Sequence, residues 1–308
     1  MAWILRTAQD DATGGFIVNS KSLPPWLHEL YPFTPKRFDT GAGALSYLDE
    51  GTGDEAVLMV HGNPTWSFFY RNVVLALRGR IRCIVPDHLG CGLSDKPQDY
   101  DYTLPNHVEN LGRLLDSLNL RKIHLIVHDW GGPIGLGACL PRHEKLGKVI
   151  ILNTAAFADT VVPARIRFCR IPVLGELAVR GFNGFAWPAT WMAVTKPLPE
   201  SVKRGFLFPY NNWTNRIATH RFVRDIPQGV GAPNDLALAQ IEQALPRLAQ
   251  KEVRIIWGGR DFCFNRHYFE RWRALLPNAA SDYLDEAGHY LIEDAQETVV
   301  GLMGKHLG

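Results

Sequence analysis

The chain has 308 residues, of which 46% are hydrophobic and 21% charged. This is the composition of an ordinary globular enzyme, not of a disordered or fibrous chain, and the length suits one large α/β domain carrying an insertion. Lys and Arg number 33 against 31 Asp and Glu, a formal net charge of +2, which argues against nucleic acid as a partner.

The opening Met1-Ala2-Trp3-Ile4-Leu5-Arg6 soon meets a charge and turns polar at Gln9-Asp10-Asp11, so no signal peptide is expected. Apolar runs such as Ala56 to Val60 and Val149 to Leu152 fall far short of the roughly 18 residues a membrane span needs. No transmembrane segment is expected, and association with a membrane surface stays open. The five cysteines, Cys83, Cys91, Cys139, Cys169 and Cys263, are scattered and never form a C-x-x-C pair. That disfavours a disulfide framework and a zinc site and fits a reducing cytoplasm.

Residues 1 to about 35 carry no strong periodicity and are expected to form an extension over the core. From residue 43 onward, short β-branched runs alternate with helical patterns, the signature of a mostly parallel sheet with helices on both faces. Strands are predicted at Ala44 to Asp49, Ala56 to Val60, Arg82 to Val85, Ile123 to Val127, Val149 to Asn153, Val253 to Trp257 and Asp282 to Leu284. Between them, Val108, Leu111, Leu114, Leu115 and Leu118 recur at helical spacing, as do Phe269, Trp272 and Leu275.

The alternation breaks between about Ala156 and Pro233, where aromatic residues, prolines and helical stretches replace strand signals. A helical cap is therefore expected over 156–233, inserted in a core of 36–155 and 234–308. Its aromatic side chains run from Phe157 and Phe168 through Phe182, Phe185, Trp187 and Trp191 to Phe206, Phe208, Trp213 and Phe222. Most are expected to pack as the core of the cap, the rest lining an apolar pocket.

The chemistry gathers at predicted strand ends. Ile123-His124-Leu125-Ile126-Val127 runs into His128-Asp129-Trp130-Gly131-Gly132 and then a helical pattern, the outline of a nucleophile elbow with Asp129 at its centre. Val127 stands where a small residue is usual. Read alone, Asp129 would serve equally well as a helix N-cap. A carboxylate nucleophile forms an ester, and releasing it by hydrolysis needs a base, normally a histidine oriented by an acid. His289 lies on the loop Asp285-Glu286-Ala287-Gly288-His289-Tyr290, and Asp261 just past Ile255-Ile256-Trp257, giving the order nucleophile, acid, histidine. After Val57-Leu58-Met59-Val60 comes His61-Gly62-Asn63-Pro64-Thr65-Trp66, whose backbone N–H groups, with that of Trp130, would form an oxyanion hole. The Asn63 amide and the Trp130 indole N–H are side-chain donors able to converge on an anionic leaving group. His88, His124, His128, His220 and His267 show no metal-ligand spacing.

These residues resemble the haloalkane dehalogenases of the α/β-hydrolase fold over nearly all of residues 31 to 305. The resemblance implies Asp129 as nucleophile, His289 as base, Asp261 as acid, and Asn63 with Trp130 as leaving-group donors. Asp261 together with Asn63 looks like the third subfamily; another subfamily places its acid after the strand ending at Asn153, which makes Asp159 a weaker candidate. Pro86-Asp87-His88-Leu89-Gly90-Cys91-Gly92-Leu93-Ser94-Asp95-Lys96-Pro97, Leu152-Asn153-Thr154-Ala155-Ala156-Phe157, Pro209-Tyr210-Asn211-Asn212-Trp213 and the run from Asn215 to Pro227 are similar to the β-lactone decarboxylases of bacterial long-chain olefin biosynthesis.

That likeness implies an apolar substrate, a cis-β-lactone with two alkyl chains, converted to a cis-alkene and carbon dioxide. It leaves room for assembly with other hydrocarbon-biosynthesis enzymes. No metal or organic cofactor is implied, since ester chemistry uses side chains alone. Attack at the ring carbon bearing oxygen and attack at the carbonyl both fit this residue set, and hydrolytic cleavage of a carbon–halogen bond is the alternative activity. Epoxide hydrolases share the His-Asp-Trp-Gly elbow but rely on two cap tyrosines, whereas Tyr210 is the only tyrosine between 156 and 235.

Overall fold

The computed structural model describes residues 23–158, 162–226 and 233–308. The short apolar runs pair into one eight-stranded sheet: β1 (Lys36–Asp39), β2 (Ala44–Glu50), β3 (Glu55–Val60), β4 (Arg82–Pro86), β5 (Lys122–Val127), β6 (Leu146–Ile151), β7 (Val253–Gly258) and β8 (Ala280–Leu284). Their order is β1-β2-β4-β3-β5-β6-β7-β8. The β1–β2 and β2–β4 pairs are antiparallel and every later pair is parallel. This is the mostly parallel α/β sheet that the alternating pattern predicts. Strands β3 and β5 are buried along almost their whole length, as the central strands of a sheet covered on both faces must be.

Two expectations change. β1 escaped the apolar pattern because Lys36-Arg37-Phe38-Asp39 is a charged, largely exposed edge strand. β6 begins earlier than expected, at Leu146, and ends at Ile151, so Asn153 stands beyond the strand. There its side chain clamps the neighbouring strand end, donating to the Gly258 carbonyl at 3.0 Å and accepting the Gly258 N–H at 2.7 Å.

Core side chains divide between the two faces of the sheet. The Leu104–Ser117 helix turns Leu111, Leu114 and Leu115 onto one face together with Leu58, Leu125 and Trp257. On the other face, Val57, Met59 and Ile126 pack with Phe68, Phe69 and Leu291. Between β6 and β7 the described residues contain no strand. They form helices that include Ala164–Cys169, Ala186–Met192, Glu200–Leu207 and Ile217–Asp225.

Phe206 and Phe222 in this segment are buried as expected, but Phe168, Phe182, Trp187, Trp191 and Trp213 are all more than 40% exposed. The helices here are short and leave these rings outside the packed interior. Ahead of the sheet, a short helix at Pro25–Leu30 sets the Trp26 ring edge-on against Phe208, with centroids 6.1 Å apart, so it packs against the helical segment between β6 and β7. No helix among the described residues is long and apolar enough to cross a membrane.

Candidate active site

The turn between β5 and the Gly131–Cys139 helix forces Asp129 to φ 51°, a left-handed conformation that a non-glycine residue adopts only where surrounding contacts hold it. Those contacts are present. The Asp129 N–H donates to the Asn153 carbonyl at 2.9 Å, and the Asp129 carbonyl accepts from Gly132 N–H at 2.9 Å and from the Thr154 hydroxyl. Gly131 permits the close crossing, because a Cβ there would lie 2.0 Å from the Val60 carbonyl oxygen. The usual small residue is dispensable at Val127, which simply fills the core.

Asp129 does not cap the helix. Its Oδ1 accepts the Asn63 N–H at 2.6 Å, and the Trp130 N–H donates to the same carboxylate. Both donors of the expected oxyanion hole therefore grip the carboxylate itself. Its Oδ2 lies 3.8 Å from His289 Nε2. The opposite ring nitrogen, Nδ1, is 2.7 Å from Asp261 Oδ2. Asp261 is oriented in turn by the N–H groups of Cys263 at 2.6 Å and Phe264 at 3.0 Å, both donating to Oδ1. Asp129, His289 and Asp261 thus come together from three separate strand ends.

Burial shapes the charges. Loss of water raises the Asp129 pKa above the ordinary carboxylate value, and this outweighs the opposing pull of His289 and of the Trp130 and Asn63 N–H groups. For His289 burial works against the charged ring, but the Asp261 charge, its hydrogen bond and the Asp129 charge together win and raise the pKa.

Asn63 and Trp130 flank the carboxylate on the same cavity. One Asn63 Nδ2 hydrogen is engaged by the Thr219 carbonyl at 3.1 Å, and an amide nitrogen carries a second. Among the described residues the Trp130 indole N–H meets no acceptor, while its ring packs on Phe222 at 5.3 Å. The cavity itself holds about 630 Å3, within the roughly 300–1,000 Å3 of small-molecule sites. Its walls are apolar, supplied by Phe168, Phe185 and Met192 of the helical insertion and by Leu238, Phe264 and Tyr268 of the following segments.

Tyr210, the single tyrosine of the insertion, is fully buried and donates to the Thr65 carbonyl at 3.0 Å, away from this cavity. The pair of insertion tyrosines that epoxide protonation requires is therefore missing from the described part of the wall. Asp159, the weaker candidate acid, lies outside the described residues.

Four contributing residues carry little or no signal in the sequence. Thr154 fixes the elbow carbonyl, and nothing in its sequence context marks it. The Cys263 and Phe264 N–H groups steady Asp261, which a side-chain oxygen followed by amides two and three residues on does hint at. Thr219 contacts Asn63 across a separation of 156 residues, which no local pattern reveals.

Residues 55–296 match the alpha/beta hydrolase fold family. The chain is 46% identical over 286 residues, 88% of its length and 94% of the relative's, to a protein of Xanthomonas campestris named cis-3-alkyl-4-alkyloxetan-2-one decarboxylase. It is 33% identical over 284 residues, 91% of its length and 97% of the relative's, to haloalkane dehalogenase 2 of Mycobacterium tuberculosis. The crystal structure of haloalkane dehalogenase DatA from Agrobacterium tumefaciens superposes with a TM-score of 0.79 at 23% identity, over 88% of this chain and 94% of that one, a likeness of fold. The chain belongs to the α/β-hydrolase fold family, where its relatives include enzymes named for β-lactone decarboxylation and for dehalogenation.

Proposed function

We propose that the chain is a cis-3-alkyl-4-alkyloxetan-2-one decarboxylase acting through an ester on Asp129. The observation that carries this reading is a buried carboxylate, presented on a strained elbow at an apolar cavity, with two side-chain N–H donors beside it. The decarboxylase relative at 46% identity supports the same substrate class.

In the reaction so read, Asp129 attacks the ring carbon that bears the ring oxygen. The C–O bond breaks with inversion, and the freed carboxylate is received by the spare Asn63 amide hydrogen and the Trp130 indole. The bond from that carboxylate to its carbon then breaks. Its electron pair forms the double bond and expels Asp129 anti to the departing carbon dioxide. Inversion followed by anti loss preserves the cis relation, and no water is consumed. His289, held protonated more readily than a free imidazole, stabilises Asp129 as it is expelled.

The insertion 156–233 is a cap on a core of 36–155 and 234–308, and residues 1–35 are an extension. The substrate is an apolar small molecule, and nucleic acid is not a partner. The protein works in a reducing cytoplasm, a reading supported by its free thiols. The same reading leaves room for assembly with other hydrocarbon-biosynthesis enzymes.

Haloalkane dehalogenation is the second reading. It is favoured by the 33% identical relative and by the spacing of His289 Nε2 from Asp129, which suits activation of a water. Purified protein offered a long-chain cis-β-lactone and a 1-bromoalkane at equal concentration separates the two. The expected result is alkene, measured by gas chromatography, well in excess of bromide release; an untouched lactone beside free bromide overturns the decarboxylase reading.

A further inference from the structure

We infer that the outer face of the helical insertion docks on an anionic lipid bilayer. Eight of the twelve large apolar side chains exposed among the described residues fall within 168–191. Val173 and Phe182 are each 76% exposed, Leu174 57% and Trp187 56%. Single exposed apolar residues are ordinary, but a set this dense marks a surface that meets an apolar phase.

Two further observations choose a bilayer as that phase. The first is charge. Within 162–194 the exposed ionic side chains are Arg165 and Arg167, and the only acid, Glu176, is held by Arg180 at 2.7 Å. An apolar stretch whose exposed ionic side chains are two arginines, with no exposed acid among them, complements anionic headgroups. Trp187 and Trp191 stand edge-to-face with centroids 4.3 Å apart, and both indoles are about half exposed, the amphipathic side chains that settle at a headgroup boundary.

The second is continuity with the cavity. Phe168 is 51% exposed on this face and also lines the cavity, as does Arg165. An apolar path therefore runs from the outer face to Asp129. If the substrate is the dialkyl β-lactone, a consequence that rests on the function proposed above, it passes from lipid into the cavity without crossing water.

The test uses the full chain and sucrose-loaded vesicles of phosphatidylcholine alone or of phosphatidylcholine with phosphatidylglycerol at three to one, read by sedimentation. The protein is expected to pellet with the anionic vesicles and less with the neutral ones, and tryptophan emission is expected to shift to the blue. Val173→Ser with Phe182→Ser is expected to weaken binding by at least about tenfold, since both side chains leave the apolar phase. Leu75→Ser with Leu236→Ser, exposed residues outside the face, serves as the matched control and leaves binding unchanged.

The inference is overturned if the protein stays in the supernatant with both vesicle types. It is also overturned if the Val173→Ser, Phe182→Ser variant binds as the parent does. A third contrary result is that the parent self-associates, or pellets only with another protein, and loses that property in the same variant. Vesicle binding needs no turnover, so its failure leaves the decarboxylase reading standing.

Discussion

Replacing His289 with alanine separates the two chemistries inside one protein. In the parent, His289 Nε2 lies 3.8 Å from Asp129 Oδ2, and both groups are buried. Full charges about 4 Å apart attract by roughly 4 kcal/mol at an effective dielectric of about 20. The variant forfeits that attraction, and solvent entering the vacated space restores part of it. Asp129, already raised by burial, then ionises less readily and is a poorer leaving group from its ester. Alkene formation from the lactone is expected to slow by roughly 10- to 100-fold yet to continue over many cycles, because that pathway consumes no water.

On a 1-bromoalkane the same variant should stop after one turnover. The loss of a general base costs roughly 100- to 10,000-fold, and the alkyl ester on Asp129 accumulates. Gas chromatography counts the alkene, and intact-protein mass spectrometry counts the adduct. A stoichiometric lactone adduct on the variant, with no alkene released, would refute the reasoning.

Three further outcomes follow from the same geometry. Asp129→Asn should abolish turnover on both substrates and raise Tm. The Asp129 pKa is raised in the folded state, so its ionised form costs stability at neutral pH; that cost is fully present above the folded pKa and fades as pH falls through it toward the unfolded value, and the variant should lose that pH dependence in thermal unfolding. Asp261→Asn removes the strongest of the influences that raise His289, leaving burial to lower its pKa, so a nuclear magnetic resonance titration should show His289 charging only at lower pH than in the parent. Gly131→Ala would place a Cβ 2.0 Å from the Val60 carbonyl, and denaturant unfolding should show a loss of roughly 1–3 kcal/mol together with a fall in turnover as the elbow shifts.

The elbow was legible in the sequence because it is local: a buried strand, Asp129, two glycines and a helix fall within a few residues, and each requirement has a visible residue. Asp261 and His289 were legible because both follow short strands, β7 and β8, whose ends the sheet brings together. The charged edge strand β1 was not, since an exposed strand carries no apolar alternation. Nor was the fate of the insertion's aromatics: composition counts rings without saying which face they occupy, and Trp187 turns outward while Phe185, two residues earlier, lines the cavity. The Thr219 carbonyl on Asn63 joins residues that only the tertiary fold makes neighbours, so it has no sequence signal.

The account turns on Asp129 as the carboxylate that opens the lactone. A long-chain cis-3-alkyl-4-alkyloxetan-2-one incubated with purified parent and with Asp129→Asn, and analysed for all products by gas chromatography with mass spectrometry, tests it most directly. The parent should give cis-alkene and carbon dioxide in equal amounts, and the variant none above the uncatalysed rate. A hydroxy acid as the product of the parent, or alkene from the variant at the parent's rate, would contradict it.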